Sequence, residues 1–277
     1  MPYRLLFLDL DGTLVGRRDI VSPRNLSALQ AANEAGCTVV ICTARYRFLV
    51  EKIAAQWTGH GYGIFMNGSV IAEWETGMVL QKIPIPLPAV HEAARTAREH
   101  GLRILLFGVD VEDDGGRAVY TERGALLHRG WLDMHEDDLV YADDLLSTSH
   151  APACMGVFGD RGPVEAVAAS WRRRLKDVDI FCAADPKYDG WCCYCNSADA
   201  NKAAAARRVA HMLDVPREQV MAIGDHVNDI DLLRWAGLGV AMGDGHVDAH
   251  SAADHVTTGQ EEDGVADAIE RFVLGRF

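Results

Sequence analysis

Asp9-Leu10-Asp11-Gly12-Thr13 closes the apolar run Tyr3-Arg4-Leu5-Leu6-Phe7-Leu8. A stretch this hydrophobic reads as a buried parallel strand, because both faces of such a strand are covered. Gly12 then breaks the run, so two carboxylates emerge at the strand's carboxyl end, where open α/β sheets place their ligand sites. Carboxylates this close repel each other unless a cation compensates. Oxygen donors suit a hard ion such as Mg2+. Asp-Gly is also a common turn signal, so the rest of the chain has to decide between a site and a surface turn.

Downstream, Ser22-Pro23 with Leu26, Leu29 and Ala32 spells a helix, with Ser22 as its cap and Gly36 at its end. Thr38-Val39-Val40-Ile41-Cys42 is a second buried strand and ends in Thr43-Ala44-Arg45. A helix over 47–57 and a short strand over 63–66, ending in Asn67-Gly68, complete an alternation of strand and helix. That alternation belongs to a doubly wound sheet.

The rhythm breaks at Pro84, Pro86 and Pro88, which make a stiff extended connector. Beyond it come a helix over 87–100, a strand over 103–109, an acidic turn over 112–116 and a strand over 118–121. A strand over 153–159, a helix over 163–175 and strands over 178–183 and 191–195 loosely echo that set. The pattern predicts an inserted α+β unit. The doubly wound rhythm then resumes: Asp199 is placed to cap a helix running through Lys202 to Leu213, and Val220-Met221-Ala222-Ile223-Gly224 is a strand ending at Asp225. Asn228 and Asp229 open the next helix, and Gly239-Val240-Ala241-Met242 forms one more strand. The expected fold is therefore α/β, a Rossmann-like doubly wound parallel sheet over 1–83 and 196–277, with the α+β insertion at 84–195.

The chain has 277 residues, which favours two lobes. Its net charge of −13 argues against a nucleic-acid partner, which would be repelled overall. No apolar run approaches the ~20 residues of a membrane span. The first strand begins almost at once, which leaves no room for a signal peptide, and seven Cys without scaffold density fit a reducing compartment. A cytoplasmic location is the expectation. Cys192-Cys193-Tyr194-Cys195 carries a C-x-x-C spacing, but no second pair stands at zinc-site spacing, so it reads as a buried strand rather than a metal or redox motif. No Walker-type loop or G-x-G-x-x-G fingerprint is present.

Asp9, Asp11, Thr43 and Asp225 thus sit at the ends of three buried strands, and one rim of a parallel sheet would bring them together. Lys202 would stand in a first helical turn, where free N–H groups and the dipole already favour an anion. Hydroxyl, ammonium and helix start on one side, with carboxylates for a cation on the other, describe a phosphate–Mg2+ site. With these motifs in order, the chain resembles haloacid-dehalogenase-superfamily phosphatases of the Cof type with a type IIB cap. The resemblance rests on Asp9-Leu10-Asp11-Gly12-Thr13-Leu14, Thr43, Lys202 and Gly224-Asp225-His226-Val227-Asn228-Asp229.

The resemblance implies Asp9 as nucleophile, forming an aspartyl-phosphate, and Asp11 as general acid and base. It implies Mg2+ on Asp9, the Asp11 carbonyl and Asp225, with Asp229 supporting a bound water. Thr43, Lys202, Asn228 and the backbone N–H groups near Leu10 and Ala44 would cradle phosphate, with Arg45 and Asn67 as substrate contacts. The implied activity is hydrolysis of a small phosphate ester such as a sugar phosphate. Two other readings stay open: phosphoryl transfer to a second acceptor, as in a mutase, and a regulator that binds a phospho-ligand without turnover. Ala44 stands where the family usually has Gly, which is harmless only with a negative φ. Ala203 likewise replaces a frequent Gly, and Gly243-Asp244-Gly245 puts an added carboxylate near the expected rim.

Overall fold

Four consecutive buried residues form β1 (Leu5–Leu8), as a strand covered on both faces requires. The structure is a computed structural model describing residues 3–16, 18–56, 61–74, 76–109, 118–123, 136–185 and 190–276. α1 (Pro23–Glu34) starts on Ser22, whose hydroxyl accepts the Asn25 N–H at 3.1 Å, with Pro23 in the first turn. β2 (Thr38–Cys42), α2 (Arg47–Ala54) and β3 (Tyr62–Phe65) follow. The expected end of α2 at residue 57 lies outside the described residues. Two strands were not anticipated: β4 (Val70–Glu73), antiparallel to β3, and β5 (Val79–Lys82) at the sheet edge.

The second unit, Lys82–Ala200, contains α3 (Leu87–Glu99), β6 (Leu105–Phe107), β7 (Val119–Glu122), β8 (Leu139–Ala142), β9 (Cys154–Gly159), α4 (Arg161–Arg174), β10 (Val178–Asp185) and β11 (Gly190–Ser197). Among the described residues, its six strands run in the order β10-β11-β9-β6-β7-β8. The two loosely similar halves join through the antiparallel β6–β9 pair. β8 was not foreseen, and the acidic turn over 112–116 lies outside the described residues. Under this sheet, α3 and α4 bury Val90, Ala93, Val167 and Trp171 against Leu106, Met155 and Cys193. The Trp171 indole N–H reaches the Ala93 carbonyl at 3.3 Å.

The first unit comprises Met1–Gln81 and Asn201–Phe277. Its second half supplies α5 (Lys202–Met212), β12 (Val220–Gly224), α6 (Ile230–Trp235), β13 (Leu238–Ala241), α7 (Val247–Ala252), β14 (His255–Val256) and α8 (Gly264–Ala268). Asn201 caps α5 by accepting the Ala204 N–H at 2.8 Å, so the expected Asp199 cap is corrected. The eight strands run β14-β13-β12-β1-β2-β3-β4-β5, parallel from β14 to β3. α5, α6 and α7 bury Ala206, Val209, Leu232 and Ala249 on the face carrying Leu5 and Phe7. By alternation Leu6 and Leu8 face the other side, where α1 meets α8 and the Asn25 carboxamide oxygen accepts the Ala266 N–H. The sheet is doubly wound, and its order reverses at β1, flanked by β2 and β12. Crevices at such a reversal are where α/β sheets bind ligands.

Among the described residues, no helix is long and apolar enough to cross a membrane. Trp171 is fully buried. Trp171→Ala should lower the stability of the second unit by about 3–5 kcal/mol, read as an earlier urea transition; an unchanged midpoint would contradict this packing.

Candidate active site

β1 and β12 pair in register from Leu5 with Val220 to Leu8 with Ile223, so Asp9, directly after β1, and Asp225, directly after the end of β12 at Gly224, leave the sheet on the same edge. Gly12 and Gly224 permit the approach. Gly12 has φ of +81°, and a Cβ there would lie 2.5 Å from an Asp225 carboxylate oxygen. A Cβ on Gly224 would lie 2.6 Å from the Asp229 carboxyl carbon. Only glycine fits both places.

Asp9, Asp225 and Asp229 each place a carboxylate oxygen within 4.8 Å of the others. Between two of them stands Lys202, the first residue of α5, 1% exposed. Its ammonium donates to Asp9 Oδ1 at 2.5 Å and to Asp229 Oδ1 at 2.6 Å. The other Asp229 oxygen accepts the N–H groups of Asp225 and His226, each at 3.2 Å. The Thr13 hydroxyl donates to Asp225 Oδ1 at 3.1 Å. Thr13 belongs to the quoted opening stretch, yet nothing local in the sequence foretold its pairing with Asp225, 212 positions away.

Three carboxylates around one ammonium leave an excess of negative charge in a buried place. Burial is the largest influence on Asp9 and pushes its carboxyl well above the usual range; Lys202 pulls it back, while Asp229 and Asp225 push it further up. Asp225 is raised by burial first and the Asp229 charge second. Burial alone would lower Lys202, but the charges of Asp229 and Asp9 outweigh that and hold it firmly protonated. A donor set of carboxylates with surplus negative charge fits a hard divalent cation.

The remaining rim residues form a second group. Arg45 grips Asp11 with both arms of its guanidinium, Nε to Oδ2 at 2.9 Å and Nη2 to Oδ1. The same Nη2 donates to Asp19 at 2.6 Å, a partner in a loop where no sequence pattern pointed to it. Thr43 is buried, and its hydroxyl accepts the Arg45 N–H at 3.1 Å. Asn67, with φ of 54°, donates its backbone N–H to the Thr43 carbonyl at 3.0 Å. Its side-chain oxygen accepts from Asn228 Nδ2 at 3.0 Å. The loops after β2, β3 and β12 are thereby laced together. Leu10 is buried and Ala44 exposed, and Ala44 is absent from the residues with positive φ, so its substitution for Gly carries no strain. The Asp244 carboxylate accepts the Gln260 N–H, at 3.1 and 3.2 Å to its two oxygens.

A sequence model of the haloacid dehalogenase-like hydrolases matches residues 6–269. The 5-amino-6-(5-phospho-D-ribitylamino)uracil phosphatase YcsE of Bacillus subtilis is 27% identical over 275 residues, covering 98% of this chain and 96% of that protein. An HMP-PP phosphatase of Yersinia enterocolitica is 28% identical over 243 residues, covering 87% and 84%. A crystal structure of a haloacid dehalogenase-like hydrolase from Bacteroides thetaiotaomicron superposes with a TM-score of 0.81 at 28% identity, covering 97% of this chain and 99% of that one.

Lys202→Met keeps the length of the side chain and removes its charge. It leaves buried carboxylates without their partner, which should cost about 3–5 kcal/mol in denaturant unfolding at neutral pH. A stability equal to wild type would show that the ammonium is not their countercharge.

Proposed function

The chain belongs to the haloacid dehalogenase-like hydrolase family, and on that premise we propose that it is a Mg2+-dependent phosphatase of a small phosphorylated metabolite, a sugar phosphate or similar ester. The observation that carries this reading is the buried Lys202 ammonium shared by Asp9 and Asp229, with Asp225 alongside. A nucleophilic carboxylate needs a neighbouring positive charge to stay ionised when buried and to tolerate an approaching phosphate dianion.

Asp9 attacks phosphorus; its Oδ–P bond forms as the bond to the leaving oxygen breaks, giving an aspartyl-phosphate. Asp11, more exposed than Asp9 and steadied by Arg45, hands its proton to the leaving oxygen. In the second half Asp11 takes a proton from water, the water oxygen bonds to phosphorus, and Asp9 is released with inorganic phosphate. Lys202, the Thr43 hydroxyl and Asn228 orient the phosphate oxygens, assisted by N–H groups near Leu10 and Ala44. Asp9, the Asp11 carbonyl and Asp225 are the groups that would hold Mg2+, and Asp229 supports them through its hydrogen bonds to the Asp225 and His226 amides. When bound, the ion offsets charge repulsion between nucleophile and phosphate. Arg45 and Asn67 stand beside this cradle as contacts for the rest of the substrate.

Names of the relatives support this class of substrate, since two of them are phosphatases of small phosphorylated compounds. The test is Asp9→Asn, measured as inorganic phosphate released from a panel of phosphorylated metabolites and a chromogenic ester with Mg2+. Loss of roughly 10⁴-fold or more in kcat with an unchanged circular dichroism spectrum is expected; wild-type turnover would refute the assignment. Mg2+ should also raise the Tm of the native enzyme and fail to do so in Asp225→Asn. An equal rise in both proteins would place the ion elsewhere.

A further inference from the structure

We propose that Cys182 and Cys193 are a dithiol modification site, which a hydroperoxide converts to an intrachain disulfide. The pair lies wholly within the inserted unit and is independent of the phosphatase centre. Cys182 on β10 and Cys193 on β11 are directly opposed in the antiparallel register. Opposed residues in such a ladder hold their Cα atoms about 4.5–5.5 Å apart, inside the window of roughly 4.4–6.8 Å that a disulfide spans. Their Sγ atoms are 2.6 Å apart although both thiols are free, closer than unbonded sulfurs ordinarily rest. Closing the bond therefore needs no backbone rearrangement.

The C-x-x-C pair itself does not form this site. Cys192 and Cys195 are three apart on one strand, so they project to opposite faces of the sheet and cannot meet. Cys192 Sγ approaches the Ala183 carbonyl, and Cys195 Sγ the Asn196 carbonyl. The partner of this cysteine cluster sits on the neighbouring strand.

The surroundings give the two sulfurs different roles. Cys193 is fully buried under α4, whereas Cys182 is half-buried on β10, the edge strand of its sheet. The Arg172 guanidinium, in the last turn of α4, comes within 3.5 Å of Cys182 Sγ. The contact with Cys193 lowers the Cys182 thiol to about 7, with Arg172 adding to the effect and burial and Glu165 opposing it. Cys193 is pushed up by the same contact and by burial. A reachable thiolate beside a cation, backed by a resolving thiol, is the arrangement that peroxide chemistry selects.

The Cys182 thiolate attacks the O–O bond of the peroxide; an S–O bond forms, the O–O bond breaks, and the departing oxygen takes a proton. Cys193 then gives up its proton and attacks the Cys182 sulfenic sulfur. The S–S bond forms as the S–O bond breaks, and water leaves. Two thiols are oxidised by two electrons in total, and hydrogen peroxide is reduced to two waters.

The experiment is brief exposure of the native protein to hydrogen peroxide at neutral pH, then alkylation and peptide mapping. The expected product is a peptide joining residues 182 and 193, lighter by two hydrogen masses and restored by a dithiol reductant. Cys182→Ser should abolish the link while leaving phosphate release from a chromogenic ester unchanged. Arg172→Gln should slow linkage roughly three- to tenfold. Asp9→Asn should link as fast as wild type, which keeps this test separate from that of the catalytic reading. Cys182 driven to sulfinic or sulfonic acid with Cys193 still reduced, or a link through Cys192 or Cys195, would overturn the proposal.

Discussion

The fully buried ammonium of Lys202 is the constraint around which the larger unit is built. It reaches across nearly two hundred positions of sequence to Asp9 and holds Asp229 with the same group. A lysine in that place without its carboxylates would lose its proton, and Asp9 without the lysine would take one up. Each half of the split unit therefore supplies charge that the other half cannot leave unmatched. Such a cluster is weak evidence for stability, because apolar residues could fill the volume as well. Its persistence in the interior is better explained by chemistry than by folding.

Sheet topology makes the meeting possible. Parallel pairing of β1 with β2 and β12 sends Asp9, Thr43 and Asp225 off one edge, at the reversal of strand order. Glycines at 12 and 224 then remove the side chains that would keep the carboxylates apart. Capping by Asn201 fixes where α5 begins, and so places Lys202 at its first position. Backbone pairing, close approach and helix capping are each ordinary; together they determine the distances at the site.

Much of this was legible in the sequence because its carriers are local. Continuous apolar runs ending in Asp or Thr announce buried strands and also name the residues at their tips. The edges were harder. β4 follows β3 after a tight turn at Met66–Gly68, and β5 is only half-buried, so neither shows a run long enough to stand out. In β8, Val140 and Tyr141 are both exposed, which erases the alternation that marks a strand. Asp199 and Asn201 are equally able to cap a helix, and only tertiary structure chooses between them. Thr13 and Asp19 acquire their partners through pairing between separate segments, and Cys182 meets Cys193 only through the register of β10 on β11, so no spacing in the chain foretells them.

The central claim is that Asp9 becomes phosphorylated, and chemical trapping tests it most directly. Enzyme turning over a phosphate ester with Mg2+ is quenched and reduced with tritiated borohydride, which converts an aspartyl-phosphate to homoserine. Radiolabelled homoserine at position 9 alone is the expected result. Label at any other carboxylate, or release of phosphate with position 9 still aspartate throughout, would contradict it.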